Sequence, residues 1–318
     1  MDEGLGRIND ICWGYRQSRV LELACRVGLF GAVESGCRAI GDVCSACGTK
    51  PEHTEKILIA CCALELVERN GGVFSNTEVS AKYLVPSSEH YQGDIILHSA
   101  NVRRRFDDFA ESIYAEPKEK ETDAEQWDHF IRGMDNVAST GRAEIFLSSV
   151  DLTGKKKMLD VGGGPGSYCI AACEKNHDLK AVVWDLPETV RIAKEYIAKA
   201  GLENRVSIQE GDWNTDSFGE GYDVVVMSNI LHGAEWDCLE KLSKAFDALI
   251  AGGTLAVQEF LLNDEKDGPL IPSLFNVMVG AYAKSELLAV IEKAGFRDLK
   301  VAGENDALGS CWITAIKQ

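Results

Sequence analysis

Positive charge is what this 318-residue chain is short of: 33 Lys and Arg stand against 50 Asp and Glu, a formal net charge of -17. A surface of that sign repels polyphosphate and anionic lipid, which disfavours nucleic acid and membrane as partners and favours a small-molecule substrate. Apolar runs long enough to span a bilayer are missing too; the longest, near Ile57 to Val67, falls far short. No apolar leader follows Met1-Asp2-Glu3-Gly4, so a soluble, cytoplasmic protein is expected. Internal repeats and low-complexity tracts are absent, and the length leaves room for two domains and a sizeable core. Cysteine is plentiful at eleven, but the number is odd, and Cys61-Cys62, Cys169 and Cys173 fall in helix-like apolar patterns that suit buried thiols. No disulfide framework is expected. Cys44 and Cys47 form a CxxC near His53, yet a second pair at zinc spacing is lacking, so packing is preferred to a metal or redox role and no metal is expected.

What the chain does contain is a turn stripped of side chains. Met158-Leu159-Asp160-Val161-Gly162-Gly163-Gly164-Pro165-Gly166 ends an apolar strand on an acid and then runs through glycines. A dinucleotide turn needs G-x-G-x-x-G, and the third glycine is missing: counting from Gly162 reaches Ser167, and counting from Gly164 reaches Cys169. The pattern is D-x-G-x-G-x-G. Asp160 at the strand tip repels a diphosphate and suits a ligand carrying an ammonium and a sulfonium, such as S-adenosylmethionine, which Gly162, Gly164 and Gly166 let approach the backbone closely. Two further strands end on acids. Lys180 to Asp185 places a carboxylate 23 residues after Gly162, suited to both ribose hydroxyls, and Arg205 to Glu210 leads into Gly211-Asp212-Trp213, suited to the adenine amino group and ring face. Any one of these can be a plain turn or a helix cap; three in order point to one nucleoside ligand.

From Arg19 to Phe30 apolar residues recur at helical spacing, a second helix-like piece covers Ala39 to Cys47, and Pro51 opens a third carrying Ile57, Leu58, Cys61, Leu64 and Val67. Glu68 to Thr77 then reads as a hairpin turning at Gly71-Gly72. That is a winged-helix order. The rival reading it raises is a DNA-binding, ligand-sensing regulator, but the third helix carries Glu52, Glu55 and Glu65 against Lys56 and His53, so phosphate attraction is lacking and a dimer contact is preferred. Residues 99–150 read as irregular helices with a solvated loop over Ala115 to Glu121. Beyond Asp151, strands at Lys157–Val161, Lys180–Asp185, Val206–Glu210, Asp223–Ser228 and Thr254–Glu259 alternate with amphipathic helices, which implies a parallel sheet, and Leu299–Ala302 with Ser310–Lys317 can close its edge as a hairpin.

The fourth of those strands delivers Asn229-Ile230-Leu231-His232 to the edge where open α/β sheets bind ligands. Methyl transfer from a sulfonium needs a deprotonated nucleophile, and a neutral imidazole, with a reference pKa of about 6.5, can accept a phenol or enol proton. His232 is the candidate base, a helix cap being the plainer reading. Glu259 ends the next strand and can orient the imidazole, or be a surface carboxylate. Acceptor contacts are sought in Trp127, Phe130 and Met134 and in Phe275, Asn276 and Met278, although aromatics and Met at helical spacing more often fill cores.

Arg26-Val27-Gly28-Leu29-Phe30, the helix before the hairpin, Asp160-Val161-Gly162-Gly163-Gly164, Asp185-Leu186-Pro187, Gly211-Asp212 and Leu231-His232 with Trp236-Asp237 resemble, across nearly the whole chain, the plant and bacterial small-molecule O-methyltransferases of the caffeate and hydroxyindole type. The resemblance implies an α/β, Rossmann-like class I methyltransferase sheet behind an all-helical, winged-helix dimerisation domain. Residues 1–98 would form that domain, 99–150 a helical linker contributing to the substrate pocket, and 151–318 the catalytic domain. It implies S-adenosylmethionine held by the glycine turn, Asp185, Leu186, Asp212 and Trp213, with Ser228 nearby, His232 as base, Glu259 as its partner, and a homodimer. The chain departs from the pattern twice. Gly233-Ala234-Glu235 separate His232 from Trp236, where Trp commonly stands two residues after the histidine, and Val279 to Lys284 lacks the glutamate of G-G-x-E-R-T. Carbon or nitrogen methylation, of a small molecule or a tetrapyrrole, is therefore the alternative.

Overall fold

The computed structural model describes residues 3–113, 121–305 and 309–318. The chain divides into two compact units, Met1–Lys120 with Leu262–Ala283, and Glu121–Leu261 with Lys284–Gln318. The first begins with α1 (Glu3–Arg26), α2 (Leu29–Glu34), α3 (Ile40–Cys47), α4 (Pro51–Ala63), β1 (Val67–Asn70), β2 (Val73–Asn76), α5 (Glu78–Tyr83) and α6 (Gly93–Ser112). The helix expected over Arg19 to Phe30 is two helices. Gly28 sits at φ 75°, where a Cβ is strained, and its N–H returns to the Cys25 carbonyl at 3.1 Å, so the chain turns there. Leu58 to Cys62 of α4 are buried in succession, which an amphipathic surface helix never shows. Val20 and Ala24 of α1, Phe30 of α2, Val43 of α3 and Phe74 of β2 share that core with it. β1 and β2 pair antiparallel, as expected.

The solvated loop expected over Ala115 to Glu121 lies, apart from Glu121, outside the described residues. In the second unit α7 (Asp123–Val137) opens on a capping box, in which Glu125 N–H donates to Thr122 Oγ1 and Thr122 N–H donates to Glu125 Oε2. A π-helical turn, Ala138–Arg142, with Gly141 at φ 105°, redirects the chain into α8 (Ala143–Ser149). There follow β3 (Lys157–Val161), α9 (Ser167–Lys175), β4 (Lys180–Asp185), α10 (Pro187–Ala200), β5 (Val206–Glu210), β6 (Tyr222–Ser228), α11 (Glu235–Ala248) and β7 (Leu249–Phe260). The expected alternation fails once. Between β5 and β6 the chain carries no helix, because the connection, interrupted by Gly211, Gly219 and Gly221, is too short to hold both a helix and its two loops. After β7, α12 (Leu270–Met278) belongs to the first unit, with Leu274 in its core, while α13 (Lys284–Lys293), β8 (Phe296–Asn305) and β9 (Ser310–Lys317) belong to the second.

The strands form one sheet in the order β5-β4-β3-β6-β7-β9-β8. The first five are parallel, β9 runs antiparallel to β7, and β8 closes the edge against β9 as the expected hairpin. Val183, Val224, Val226 and Ala256 face Cys169 and Ala172 of α9 and Phe146 of α8 in a continuous core. The register decides where function can lie. Val161 pairs with Trp184 and Met227, Asp185 with Glu210, and Ser228 with Gln258, so the parallel strands end level and hand Gly162, Leu186, Gly211, Asn229 and Glu259 to one edge. Among the described residues no helix is long and apolar enough to cross a membrane, and no three His, Cys, Asp or Glu side chains are grouped to hold a metal. None of the eleven cysteines is joined in a disulfide, and Cys44 donates to the Thr49 carbonyl at 3.0 Å.

Candidate active site

The loop after β3 is pinned to β4. Gly162 N–H donates to the Trp184 carbonyl at 2.8 Å, and Gly162, Gly164 and Gly166 all take positive φ, so a Cβ is strained at each. At Gly162 a Cβ would also stand 2.9 Å from Ile230 Cγ2 and 3.2 Å from Trp213 Cζ3, whereas at Gly164 it would meet nothing within 4 Å. Asp185 ties the turn down: Oδ2 accepts from Gly164 N–H at 2.8 Å and Oδ1 from Leu186 N–H at 2.7 Å, with the carboxylate almost buried. Burial pushes its pKa up, against the hydrogen bonds from Gly164, Leu186 and Thr189. After β5, Asp212 Oδ1 accepts from the backbone and side-chain N–H groups of Asn214, and the Trp213 ring lies 5.0 Å from the buried Lys241 ammonium.

Asp160 lies deeper. It is 1% exposed; a Cβ on Gly163 would stand 3.0 Å from its carboxyl carbon, and the Cys169 thiol is 3.8 Å from Oδ2. Burial first, and then the Asp185 carboxylate, push its pKa up to about 8. The folded chain therefore keeps a proton that the unfolded chain releases near pH ~4, and stability from this group is lost as pH rises towards about 8. Asp160→Asn, neutral throughout, is expected to remove that loss, so that melting temperatures of wild type and variant diverge between about pH 5 and pH 8. A constant difference over that range would mean that Asp160 is ionised throughout.

At the other end of the edge, β6 and β7 bring His232 and Glu259 together. Glu259 is 3% exposed; Oε1 accepts from Leu231 N–H at 2.7 Å, and Oε2 stands 3.7 Å from His232 Nδ1. The His232 side chain is about one third exposed, and among the described residues no hydrogen bond engages its Nε2. Ser228 Oγ donates to Gln258 Oε1 at 2.7 Å, and the same oxygen takes Tyr168 OH at 3.3 Å and Asn229 Nδ2 at 3.5 Å. Asn229 follows β6 at φ 55°, its Oδ1 buried without a partner.

Of the acceptor candidates, Trp127, Phe130 and Met134 lie on α7. Trp127 Nε1 donates to Thr189 Oγ1 at 3.1 Å, its ring is 5.5 Å from Phe130, and Phe130 and Met134 are exposed. In the first unit, α12 places Phe275 against the Trp13 ring at 5.2 Å, buries Asn276, whose Oδ1 accepts from Ala281 N–H, and exposes Met278.

The O-methyltransferase domain model matches residues 98–297, and the O-methyltransferase dimerisation domain model matches residues 9–86. The chain belongs to the O-methyltransferase family. The 3-hydroxy-5-methyl-1-naphthoate 3-O-methyltransferase of Streptomyces sahachiroi is 31% identical to it, over 87% of this chain and 84% of that protein. In fold it is similar to an O-methyltransferase family 2 protein from Planctomyces limnophilus in complex with apigenin, at TM-score 0.82 and 20% identity over 98% and 96% of the two chains. Human N-acetylserotonin methyltransferase in complex with SAM superposes at TM-score 0.56 and 25% identity over 100% and 98%.

S-adenosylmethionine is the cofactor of this O-methyltransferase family. The residues at the edge fit it: open space stands over Gly164, where a side chain would intrude, the Trp213 ring packs beside Gly162, and the polar groups at the strand ends include the carboxylates of Asp185 and Asp212 and the backbone N–H of Gly164. Sequence reasoning passed over Gln258, Tyr168 and Asn229. Gln258 directly follows the apolar run Leu255-Ala256-Val257, and a buried polar residue at that strand end, just before Glu259, was the signal available for it.

Proposed function

We propose that this methyltransferase acts on a hydroxyl of a small aromatic or conjugated molecule, with His232 as general base and Glu259 positioning it. The observation that carries the reading is the pair itself: a partly exposed imidazole at the sheet edge with Nδ1 beside a buried carboxylate. Gly162, Gly164, Gly166, Asp185, Leu186, Asp212, Trp213 and Ser228 are the cofactor-holding residues in this reading, with Asp160, buried beneath the turn, supporting the glycines from below. When bound there, S-adenosylmethionine supplies an electrophilic methyl group on sulfur. Glu259, fixed through Leu231 N–H, favours the tautomer protonated on Nδ1 and stabilises the imidazolium formed when Nε2 takes the acceptor's proton. Trp127, Phe130 and Met134 offer apolar contact to a flat ring, and Phe275, Asn276 and Met278 of α12 keep their place as acceptor-contact candidates. A naphthoate 3-O-methyltransferase and an acetylserotonin methyltransferase among the relatives agree with a hydroxylated aromatic acceptor.

A homodimer through the first unit is part of the same reading. The dimerisation match covers α1 from residue 9 onward, and on that helix Ile8, Ile11 and Tyr15 stand exposed at helical spacing on one stripe. The test of function is an acceptor screen over phenols, catechols, hydroxyindoles, hydroxynaphthoates, quinols and tetrapyrroles, following S-adenosylhomocysteine release. A hydroxylated aromatic is expected to turn over and its O-methyl ether to be inert. Turnover of the ether at a ring carbon would replace O- by C-methylation.

A further inference from the structure

Thr189 carries a hydroxyl that water does not reach. It is the third residue of α10, 0% exposed, four residues after Asp185, and two groups meet it. On one side Trp127 Nε1 of α7 donates to Thr189 Oγ1 at 3.1 Å. On the other lies the Asp185 carboxylate, which the hydroxyl helps to hold ionised together with the N–H groups of Gly164 and Leu186. All three residues belong to the second unit, and together they run from α7 to the end of β4.

An indole N–H only donates, so Thr189 Oγ1 accepts from it and the hydroxyl proton turns away from Trp127. Two acceptors compete for that proton: the Asp185 carboxylate, and the Asp185 main-chain carbonyl four residues back, to which a helical threonine commonly returns its hydroxyl. The carbonyl already takes Gly211 N–H at 3.0 Å and the carboxylate carries charge, which favours the carboxylate. Donation from the indole into one lone pair strengthens the hydroxyl as a donor, so the contact on α7 is felt at Asp185 through Thr189. α7 is held in place for this. Asp128 pairs with Arg191 of α10, Arg132 Nη2 stands 2.7 Å from Glu195 Oε2, and Asp135 Oδ1 accepts from Ser167 Oγ at 2.8 Å at the start of α9. The two ion pairs are partly exposed and contribute little, whereas the Trp127 bond ends on a fully buried group.

We propose that Trp127 is a positioning residue for the cofactor: through Thr189 it orients the Asp185 carboxylate towards the ribose hydroxyls, so the helix bearing Phe130 and Met134 also sets cofactor affinity. The proposal rests on the reading of Asp185 as the ribose ligand. The experiment is calorimetry of the full chain with S-adenosylhomocysteine and with its 2′,3′-dideoxyribose analogue, which keeps the adenine and the amino acid and lacks both hydroxyls. Wild type is expected to prefer S-adenosylhomocysteine about tenfold or more. Trp127→Phe, which keeps a ring and removes the N–H, is expected to weaken S-adenosylhomocysteine about threefold to tenfold and to leave the analogue unchanged. Thr189→Val should lose at least as much, adding Trp127→Phe to it should cost nothing further, and Thr189→Ser, which restores the hydroxyl, should return towards wild type. A general loosening of α7 gives a different pattern, with both ligands weakened alike and losses that add in the double variant. Either of those results, or a Trp127→Phe protein within about twofold of wild type, overturns the proposal. Melting curves establish that the variants fold; should Thr189→Val not fold, the two ligands on Trp127→Phe decide alone. Equal affinity of wild type for the two ligands overturns the ribose reading and the relay together, whereas a discriminating wild type beside an equally discriminating Trp127→Phe overturns the relay alone.

Discussion

His232→Ala is expected to lower turnover about a hundredfold or more on any hydroxylated acceptor, with affinity for S-adenosylhomocysteine unchanged. The side chain is about one third exposed and makes no hydrogen bond to the glycine turn, so its removal neither opens a core cavity nor disturbs the cofactor edge. What is lost is the acceptor of one proton at Nε2. Glu259→Gln separates charge from position: the amide oxygen can still receive Leu231 N–H, while the negative charge beside Nδ1 is gone, so a smaller fall, on the order of tenfold, is expected, with the pH profile of turnover displaced. Single-turnover rates on saturating cofactor measure both. Near-normal chemistry in His232→Ala would mean that the acceptor arrives ionised or that proximity alone drives transfer, and the general-base role would fall.

Residues whose role follows from their own stretch of chain were legible in the sequence. Three strands ending on acids, a turn that only glycine can make, and a histidine in the loop just after a strand are local statements, and the parallel register set them side by side. The edge hairpin of β8 and β9 was legible for the same reason. Features that arise from packing between distant segments were not. Gln258 gains its meaning from Tyr168 on α9 and Ser228 on β6, and Thr189 from Trp127 on α7. Asp160 reads as a strand-tip charge, yet the turn folds over it and leaves it 1% exposed, its proton held by burial. α12 follows β7 in sequence and shares a core with α4, because Leu274 fits the apolar face that Leu58 and Cys61 present.

Asp185→Ala is expected to weaken S-adenosylmethionine and S-adenosylhomocysteine binding about a hundredfold, the largest effect at the cofactor edge. Two separate losses combine. The carboxylate now receives Gly164 N–H at 2.8 Å and Leu186 N–H at 2.7 Å, so its removal frees the glycine turn from β4 and leaves two nearly buried donors without acceptors, at about 1–3 kcal/mol each. Its remaining lone pairs, the ones proposed to take ribose hydroxyls, disappear as well. The melting temperature of the free protein should therefore fall together with cofactor affinity, which distinguishes Asp185 from Asp212, half-buried, with Oδ1 held by Asn214. Asp212→Ala should weaken binding about tenfold and leave the melting temperature nearly unchanged. Asp185→Asn is the finer probe: one oxygen can still accept a backbone N–H, but the new NH2 faces the other donor, so affinity and stability should both fall between wild type and alanine. Calorimetry with S-adenosylhomocysteine, together with melting curves at fixed pH, reads all three variants. If a folded Asp185→Ala binds within about threefold of wild type, the ribose assignment fails, since even one lost hydrogen bond to a charged group exceeds that margin.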